Sequence, residues 1–163
     1  MFSSILKAAP YDIEVDEIDG CLTVIVAIST CQDRNRIVSV VCELIETDIC
    51  EDPCWEFSFS IEVFALDGGI EPFSTQDRQI AAAYIPDEIR KDVMDVVCEG
   101  LKALINHAQC ALVYRVTKDR DPVENGLKKH HLLTETLENA GYSVLEEGTD
   151  PFGRRFWIMR RPD

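Results

Sequence analysis

The last third of the chain admits few folds, because a strand pattern, a helix pattern and a hairpin pattern follow one another in it without a break. Residues 111 to 116 form a short, apolar, β-branched run that is typical of a strand inside a sheet. Asp121 then offers a capping carboxylate, Pro122 suits the first helical turn, and Glu124 follows three residues after Asp121. The sequence therefore predicts a strand followed by a helix.

The predicted helix has an apolar stripe and a clear end. Gly141 stands where a helix commonly turns into the left-handed conformation and stops. Residues 142 to 147 and 155 to 160 then read as two strands joined by a turn at residues 150 to 153. The stripe consists of Leu127, His131, Leu133, Leu137 and Ala140.

The first 66 residues predict an antiparallel meander. Residues 11 to 16 alternate apolar and acidic side chains, as expected for a strand with one apolar and one acidic face. Asp19 and Gly20 form a favoured hairpin turn, which pairs this strand with the next one. The four predicted strands cover residues 11 to 16, 21 to 29, 37 to 45 and 55 to 66.

A helix is also predicted to begin at Pro86, because a proline followed by two acids suits the first turn of a helix. Gly100 interrupts its apolar stripe, and we expect close packing against a strand at this position. The stripe consists of Ile89, Val93, Val96, Val97, Leu101, Leu104 and Ile105.

These patterns together predict an α+β fold, with a mostly antiparallel, mixed sheet of about seven strands and two main helices in the order ββββαβαββ. A chain of 163 residues is the size of a single globular domain. We divide it into an N-terminal arm (1 to 10), an acidic meander (11 to 66), a connecting loop (67 to 85) and a helix-strand-helix-hairpin block (86 to 161). Without a membrane span or a signal-peptide core, it is expected to be cytoplasmic.

The net charge of -14 is concentrated in the first two thirds of the chain. Residues 1 to 110 carry 7 Lys and Arg against 21 Asp and Glu, whereas residues 111 to 163 carry 9 against 9. Such a field repels nucleic acid and anionic membranes and favours basic protein surfaces. The acidity serves either solubility alone or a functional acidic face.

Seven cysteines, an odd number, indicate reduced thiols, most of which we expect to be buried. Cys50 and Cys54 differ from the others, because they bracket an acidic loop. A structural zinc site would need a second ligand pair at similar spacing, and none follows in the sequence. An ordinary loop is therefore the main interpretation, with a redox pair or a zinc site as alternatives, and we predict no metal.

Residues 136 to 142, TLENAGY, end a helix with a glycine and an aromatic residue just before the final hairpin. This stretch resembles the Gcn5-related N-acetyltransferase (GNAT) family, and the order of elements from the second predicted strand onward is similar to that family as well. The resemblance implies a GNAT-like fold. It also implies a coenzyme A site at the start of the long helix, where backbone N–H groups of a Gln/Arg-x-x-Gly-x-Gly/Ala loop bind the pyrophosphate.

The sequence departs from the family where that cofactor would bind. Residues 82 to 88, AAYIPDE, contain no glycine, Pro86 lacks a backbone donor, and Asp87 and Glu88 would repel phosphates. The tyrosine with which many members protonate the leaving thiolate aligns with Leu137, which has no hydroxyl. We therefore predict no cofactor.

The sequence shows no catalytic residue set. His130 and His131 are adjacent on a helix, so their side chains point about 100° apart and do not bind one ion together. One of them is expected to pack near the sheet and the other to meet solvent. Neither a Ser, His and Asp set nor a glycine-rich phosphate loop is visible.

Two surface features suggest binding. Acidic residues of the meander form a row that favours a basic partner. In the last hairpin, arginines bracket Trp157, which indicates either a protected edge strand or a docking patch. The candidate partner-binding residues are Asp12, Glu14, Asp16, Glu43, Glu46, Asp48, Glu51, Asp52, Arg155 and Trp157.

The main functional hypothesis is a non-catalytic, acidic protein-binding domain of the phage or mobile-element inhibitor type. Such a domain mimics nucleic acid and masks a basic protein or a nucleic-acid-handling complex, without binding nucleic acid or membranes itself. One alternative is a divergent GNAT-type acyltransferase that uses acetyl-coenzyme A. Another is a self-associating structural protein that uses the Trp157 hairpin. The sequence does not determine the oligomeric state.

Overall fold

The computed structural model describes residues 1–32, 35–65, 70–75 and 78–163. These residues form an α+β structure with a mixed sheet, which confirms the predicted class. No helix among them is both long and apolar enough to cross a membrane. The elements are β1 (Ser3–Ser4), β2 (Asp16–Ile18), β3 (Cys21–Cys31), β4 (Arg36–Thr47), β5 (Cys54–Ala65), β6 (Ile70–Thr75), α1 (Arg78–Ala81), a 3-10 helix (Asp87–Ile89), α2 (Val93–Ala108), β7 (Leu112–Val116), α3 (Glu124–Asn139), β8 (Ser143–Thr149) and β9 (Arg155–Arg160).

The strands of the sheet are hydrogen-bonded in the order β1-β3-β4-β5-β7-β9-β8, with β2 also paired to β3 and β6 to β5. The chain divides into two compact units. Unit 1 comprises Met1–Glu14, Val24–Cys42 and Phe59–Gly100. Unit 2 comprises Val15–Thr23, Glu43–Ser58 and Leu101–Asp163.

In unit 1, helix α2 packs closely on the long strands at Gly100. A Cβ atom added to Gly100 would lie 2.9 Å from Cys42 Sγ and 3.6 Å from Val24 Cγ1, so only glycine fits without a shift of its neighbours. The predicted close approach of this helix to a strand is therefore confirmed. Cys42 in turn contacts the Val97 carbonyl through its thiol at 3.9 Å.

In unit 2, α3 covers one face of the sheet around β7 and β9. Trp157 of β9 is 2% exposed, and its ring stacks on His130 of α3 with centroids 5.2 Å apart. The other face carries a buried cluster of Cys54, Leu112 and Tyr114. The helix ends as predicted, because Gly141 has a φ of 95° and the Tyr142 N–H bonds the Leu137 carbonyl at 3.0 Å.

The prediction of a strand over residues 11 to 16 is wrong. Residues 11 to 15 form no strand, and β2 begins at Asp16 and pairs antiparallel with β3 through Asp16↔Thr23 and Ile18↔Cys21. The alternation still describes exposure, since Asp12 and Glu14 are exposed between half-buried neighbours. Alternation reports which side chains face solvent, whereas a strand also needs a partner with free backbone groups.

Both predicted helix starts are also wrong in detail. At Pro86 the chain makes only a 3-10 turn, and regular α-helix begins at Val93. Asp121 does not cap α3, because Val123 precedes the helix and no side chain caps it. The Asp121 N–H instead donates to the Gly153 carbonyl at 2.7 Å, which ties the segment to the hairpin turn.

Three further expectations need correction. The connecting loop predicted for residues 67 to 85 contains β6 and α1, although residues 66–69, 76 and 77 lie outside the described part. Strand β9 is not an edge strand, because it lies between β7 and β8. The apolar stripe of α3 includes His130 rather than His131, as the rotation of the helix brings His130 to the sheet and leaves His131 exposed.

Candidate protein-binding surface

Two segments of unit 2 carry acidic residues and no basic ones. Residues 15 to 23 contain three Asp or Glu and residues 43 to 58 contain six, and neither segment contains a Lys, Arg or His. Eight of the nine are exposed. These eight residues, together with exposed Ile18, Ile45 and Ile49, are called the acidic surface. The eight are Asp16, Glu17, Asp19, Glu43, Glu46, Asp48, Glu51 and Asp52.

Strand pairing brings the two segments together. β2 pairs with the start of β3, where Ile18 lies opposite Cys21. The Cys21 thiol contacts the Leu44 carbonyl of β4 at 3.8 Å, so the end of β4 lies beside the start of β3. Neighbouring strands are about 4.8 Å apart, which places β2 and β4 roughly 10 Å apart on either side of β3. The two acidic segments therefore lie at the same end of β3, on either side of it.

Three large apolar side chains are exposed among these carboxylates. Ile18 is 47% exposed, Ile45 is 45% exposed and Ile49 is 53% exposed. In β4, Leu44 is fully buried between exposed Glu43 and exposed Ile45, so an acid and an isoleucine project from the same side of the strand. Carboxylates alone would be sufficient for solubility, whereas exposed isoleucines are not needed for it.

Arg160 of β9 reaches the acidic surface. Arg160 Nη2 of β9 lies 3.3 Å from Asp52 Oδ2, and both side chains are largely exposed, so solvent weakens the pair. Of the other predicted residues, Asp12 and Glu14 belong to unit 1, while Asp16, Glu43, Glu46, Asp48 and Glu51 belong with Asp52 to unit 2. The structure thus groups six of the eight predicted acids within one unit.

The two remaining predicted residues do not form an exposed docking patch. Trp157 is in the core, so it is not available to a partner, and the prediction of a Trp157 contact is corrected. Two arginines cover the Trp157 ring. The Arg115 guanidinium lies 5.0 Å and the Arg155 guanidinium 5.8 Å from the ring centroid. Arg155 is half-buried and donates its backbone N–H to Thr117 Oγ1 at 3.0 Å.

One polar group that was not predicted lies on the opposite side of unit 2 from α3. Glu56 of β5 lies beside Tyr114 of β7 in the parallel pair. Burial raises the pKa of Glu56 above its usual range, although the Arg154 charge opposes the shift. Burial, followed by the charge of Glu56, raises the pKa of Tyr114. A single carboxylate in the apolar strand sequence CWEFSFS was the available signal.

Neither a metal site nor a relative identifies the chemistry of this surface. Within the described residues, no group of three or more His, Cys, Asp or Glu side chains is arranged to hold a metal ion. Protein-family models, curated proteins and solved structures compared with this chain give no match.

Proposed function

We propose that the protein is a binding domain whose acidic surface docks on a basic protein. The proposal is supported by the composition of the acidic surface, which has eight exposed carboxylates, no cation within its two segments, and exposed Ile18, Ile45 and Ile49. An acidic surface attracts Lys and Arg, and exposed isoleucines fill apolar pockets of a partner.

The carboxylates and the isoleucines are expected to contribute different amounts of binding free energy. An exposed ion pair contributes about 0.2 to 1 kcal/mol, whereas complete burial of an isoleucine side chain contributes roughly 1.5 to 3 kcal/mol. Ile18, Ile45 and Ile49 are already about half-buried, so each would gain roughly half of that range and contribute somewhat more affinity than one carboxylate. The carboxylates would speed association and select basic partners, in a manner that weakens as salt is added.

The partner that fits this chemistry is a basic, partly apolar protein surface such as a nucleic-acid-binding groove. A row of carboxylates presents to such a groove the same sign of charge as a phosphate backbone. Binding there would mask the groove, as an inhibitor of the phage or mobile-element type does. Net charge of -14 disfavours direct contact with nucleic acid.

The test measures binding of fluorescent Lys/Arg-rich peptides that contain leucines, by anisotropy at several salt concentrations. Substituting Glu43, Glu46 and Glu51 together by Gln should weaken binding about tenfold at low salt, since three exposed pairs are lost. The double variant Ile45→Ser, Ile49→Ser should weaken peptide binding more than the triple Gln variant does. It should also weaken binding at high salt.

A matched control removes three charges elsewhere. Glu88, Glu135 and Glu138 are exposed and lie outside the acidic surface, so their replacement by Gln changes the net charge equally. This control should keep nearly full affinity. Equal loss in both triple variants would show that only net charge matters, and no binding of any basic peptide at low salt would reject the proposal.

A GNAT-like fold, with an acyltransferase activity, is the second candidate. It is supported by unit 2, where β5 and β7 pair in parallel at Trp55↔Val113 and β9 lies between β7 and β8. The 3-10 helix and the start of α2, both in unit 1, argue against the activity. Asp87, Glu88 and Asp95 are exposed there, and their charges would oppose a pyrophosphate.

Calorimetry with acetyl-coenzyme A separates the two candidates. If the acidic surface is the function, titration at 150 mM salt should give no binding heat, and addition of a basic peptide to the same sample should give a clear one. Saturable binding of acetyl-coenzyme A, together with release of free thiol when an amine is added, would favour the acyltransferase.

A further inference from the structure

Cys50 and Cys54 bracket the loop that joins β4 to β5. Cys54 is the first residue of β5, is fully buried, and donates its thiol hydrogen to the Thr47 carbonyl at 3.7 Å. Cys50 is half-exposed and lies in the loop. Both cysteines are free thiols. One thiol of the pair is therefore accessible from solvent, while the other is fixed inside the fold.

The two cysteines are neighbours in space. Cys50 packs against the buried cluster of Cys54, Leu112 and Tyr114, and Cys54 is the first neighbouring side chain that raises the pKa of Cys50. Residues 51 to 53 are the only chain between them. A short loop that packs Cys50 against the cluster containing Cys54 needs little backbone movement to close a covalent bond between the two cysteines.

We propose that Cys50 and Cys54 are a reversible disulfide site, oxidised by exchange with a low-molecular-weight disulfide. The Cys50 thiolate attacks one sulfur of the small disulfide, which breaks its S–S bond, forms a mixed disulfide on Cys50 and releases one thiolate. The Cys54 thiolate then attacks Cys50 Sγ, forms the Cys50–Cys54 bond and releases the second small thiol. Two protein thiols lose two electrons and two protons, and the small disulfide is reduced to two thiols.

The environment of Cys50 makes this exchange slow at neutral pH. Burial, the hydrogen bond with Cys54, and the nearby charges of Glu146 and Asp52 raise the pKa of Cys50 to about 12. Tyr114 of β7 packs on the same side. Because the thiolate is the attacking species, the initial rate should rise about tenfold per pH unit between pH 7 and 9. The disulfide would therefore form only when oxidising conditions persist, and it would not form within a brief exposure.

Closure would restrain the loop that carries Glu51 and Asp52. A five-residue ring would fix the backbone between β4 and the first residue of β5. The proposal does not depend on docking to a basic partner, because its direct readout is the covalent state of two sulfurs. A docking experiment on the oxidised protein would then measure a separate consequence.

The test incubates the full chain with oxidised glutathione, quenches with acid, alkylates the denatured protein and maps peptides by mass spectrometry. The expected result is five alkylated cysteines instead of seven, with an internal disulfide in the peptide that contains Cys50 and Cys54. Dithiothreitol should restore all seven. Seven alkylated cysteines after long incubation at pH 9 would overturn the proposal.

Two variants identify the order of steps. In Cys54→Ser, the mixed disulfide on Cys50 should accumulate, because no second thiol resolves it. Cys21 is the other half-exposed cysteine, so Cys21→Ser serves as the exposure-matched control and should leave the internal disulfide unchanged. Glutathione retained on Cys50 of the wild-type protein as stably as on Cys21 would also overturn the proposal, and this measurement needs no variant.

Discussion

At the residue scale, His130 is a buried titratable side chain that links α3 to the sheet. It is 4% exposed, stacks on Trp157, and its Nδ1 is buried without a hydrogen bond. The Arg115 Nη1 donates to the His130 carbonyl at 3.0 Å, which holds a positive charge close by. Burial, followed by the charges of Arg115, Lys129 and His131, lowers the pKa of His130 to about 3. The folded protein therefore requires the neutral imidazole.

The lowered pKa of His130 should make the free energy of unfolding depend on pH. The unfolded chain protonates His130 near pH 6.5, whereas the folded protein does not until about pH 3. Stability from this residue is complete above pH 6.5 and is lost as pH falls toward 3, by about 2 kcal/mol between pH 7 and pH 5. His130→Phe keeps the stack and should flatten this part of the urea-unfolding pH profile. Equal slopes for both proteins would contradict the prediction.

A second residue-scale prediction concerns Tyr142, which closes the end of α3. Its hydroxyl donates to the Cys110 carbonyl at 2.5 Å, and the side chain is 3% exposed. Burial, followed by the hydrogen bond with Cys110, raises the pKa of Tyr142. Tyr142→Phe should lower the free energy of unfolding by about 1 to 2 kcal/mol in urea, because the carbonyl loses its donor. Tyr11→Phe, at a half-exposed tyrosine, is the control and should change it little.

At the scale of elements, close contact between α2 and strands of unit 1 determines what Gly100 tolerates. Gly100→Ala gains about 1 kcal/mol of helix propensity but forces a Cβ against Cys42 Sγ, and overpacking costs typically 1 to 3 kcal/mol. We expect net destabilisation in urea. The cost should shrink in a Cys42→Ala background, since the opposing sulfur is gone.

Gly126 of α3 provides the matched control for this prediction. A Cβ there would meet only Val123 Cγ2, at 3.9 Å, and the residue is exposed. Gly126→Ala should therefore stabilise the protein by about 0.5 to 1 kcal/mol. If Gly100→Ala and Gly126→Ala had the same effect, the contact with Cys42 would have no energetic weight.

At the scale of the whole molecule, the net charge of -14 opposes folding through self-repulsion. Raising NaCl from 20 to 500 mM shortens the Debye length to a few ångströms and should raise the urea midpoint. The triple Gln variant of Glu43, Glu46 and Glu51 should respond less. Choline chloride should act like NaCl if screening is the cause, and a response to Na⁺ alone would indicate specific ion binding.

Salt should act on binding in the opposite direction, because screening weakens attraction between the acidic surface and a basic partner. A protein that gains stability and loses affinity over the same salt range would show both consequences of one charge distribution. The isoleucine contribution should persist at high salt, since burial of apolar surface does not depend on charge.

The sequence by itself was sufficient for β7, the presence of α3 and its end at Gly141, and the final hairpin. The α+β class and the close packing at Gly100 were predicted as well. These features depend on residues a few positions apart, such as a glycine after a helix or a turn between two strand patterns, so local chemistry is enough to specify them.

Only the tertiary structure decided where β2 begins, which histidine is buried and that Trp157 is in the core rather than on an edge. It likewise decided that Asp121 bonds the hairpin turn instead of capping α3. It also brought Ile18 and the end of β4 to the same end of β3 and packed Cys50 against the cluster that contains Cys54. Backbone pairing and burial depend on which distant strand lies beside a given segment. Residues that are close in the sequence do not determine that neighbour.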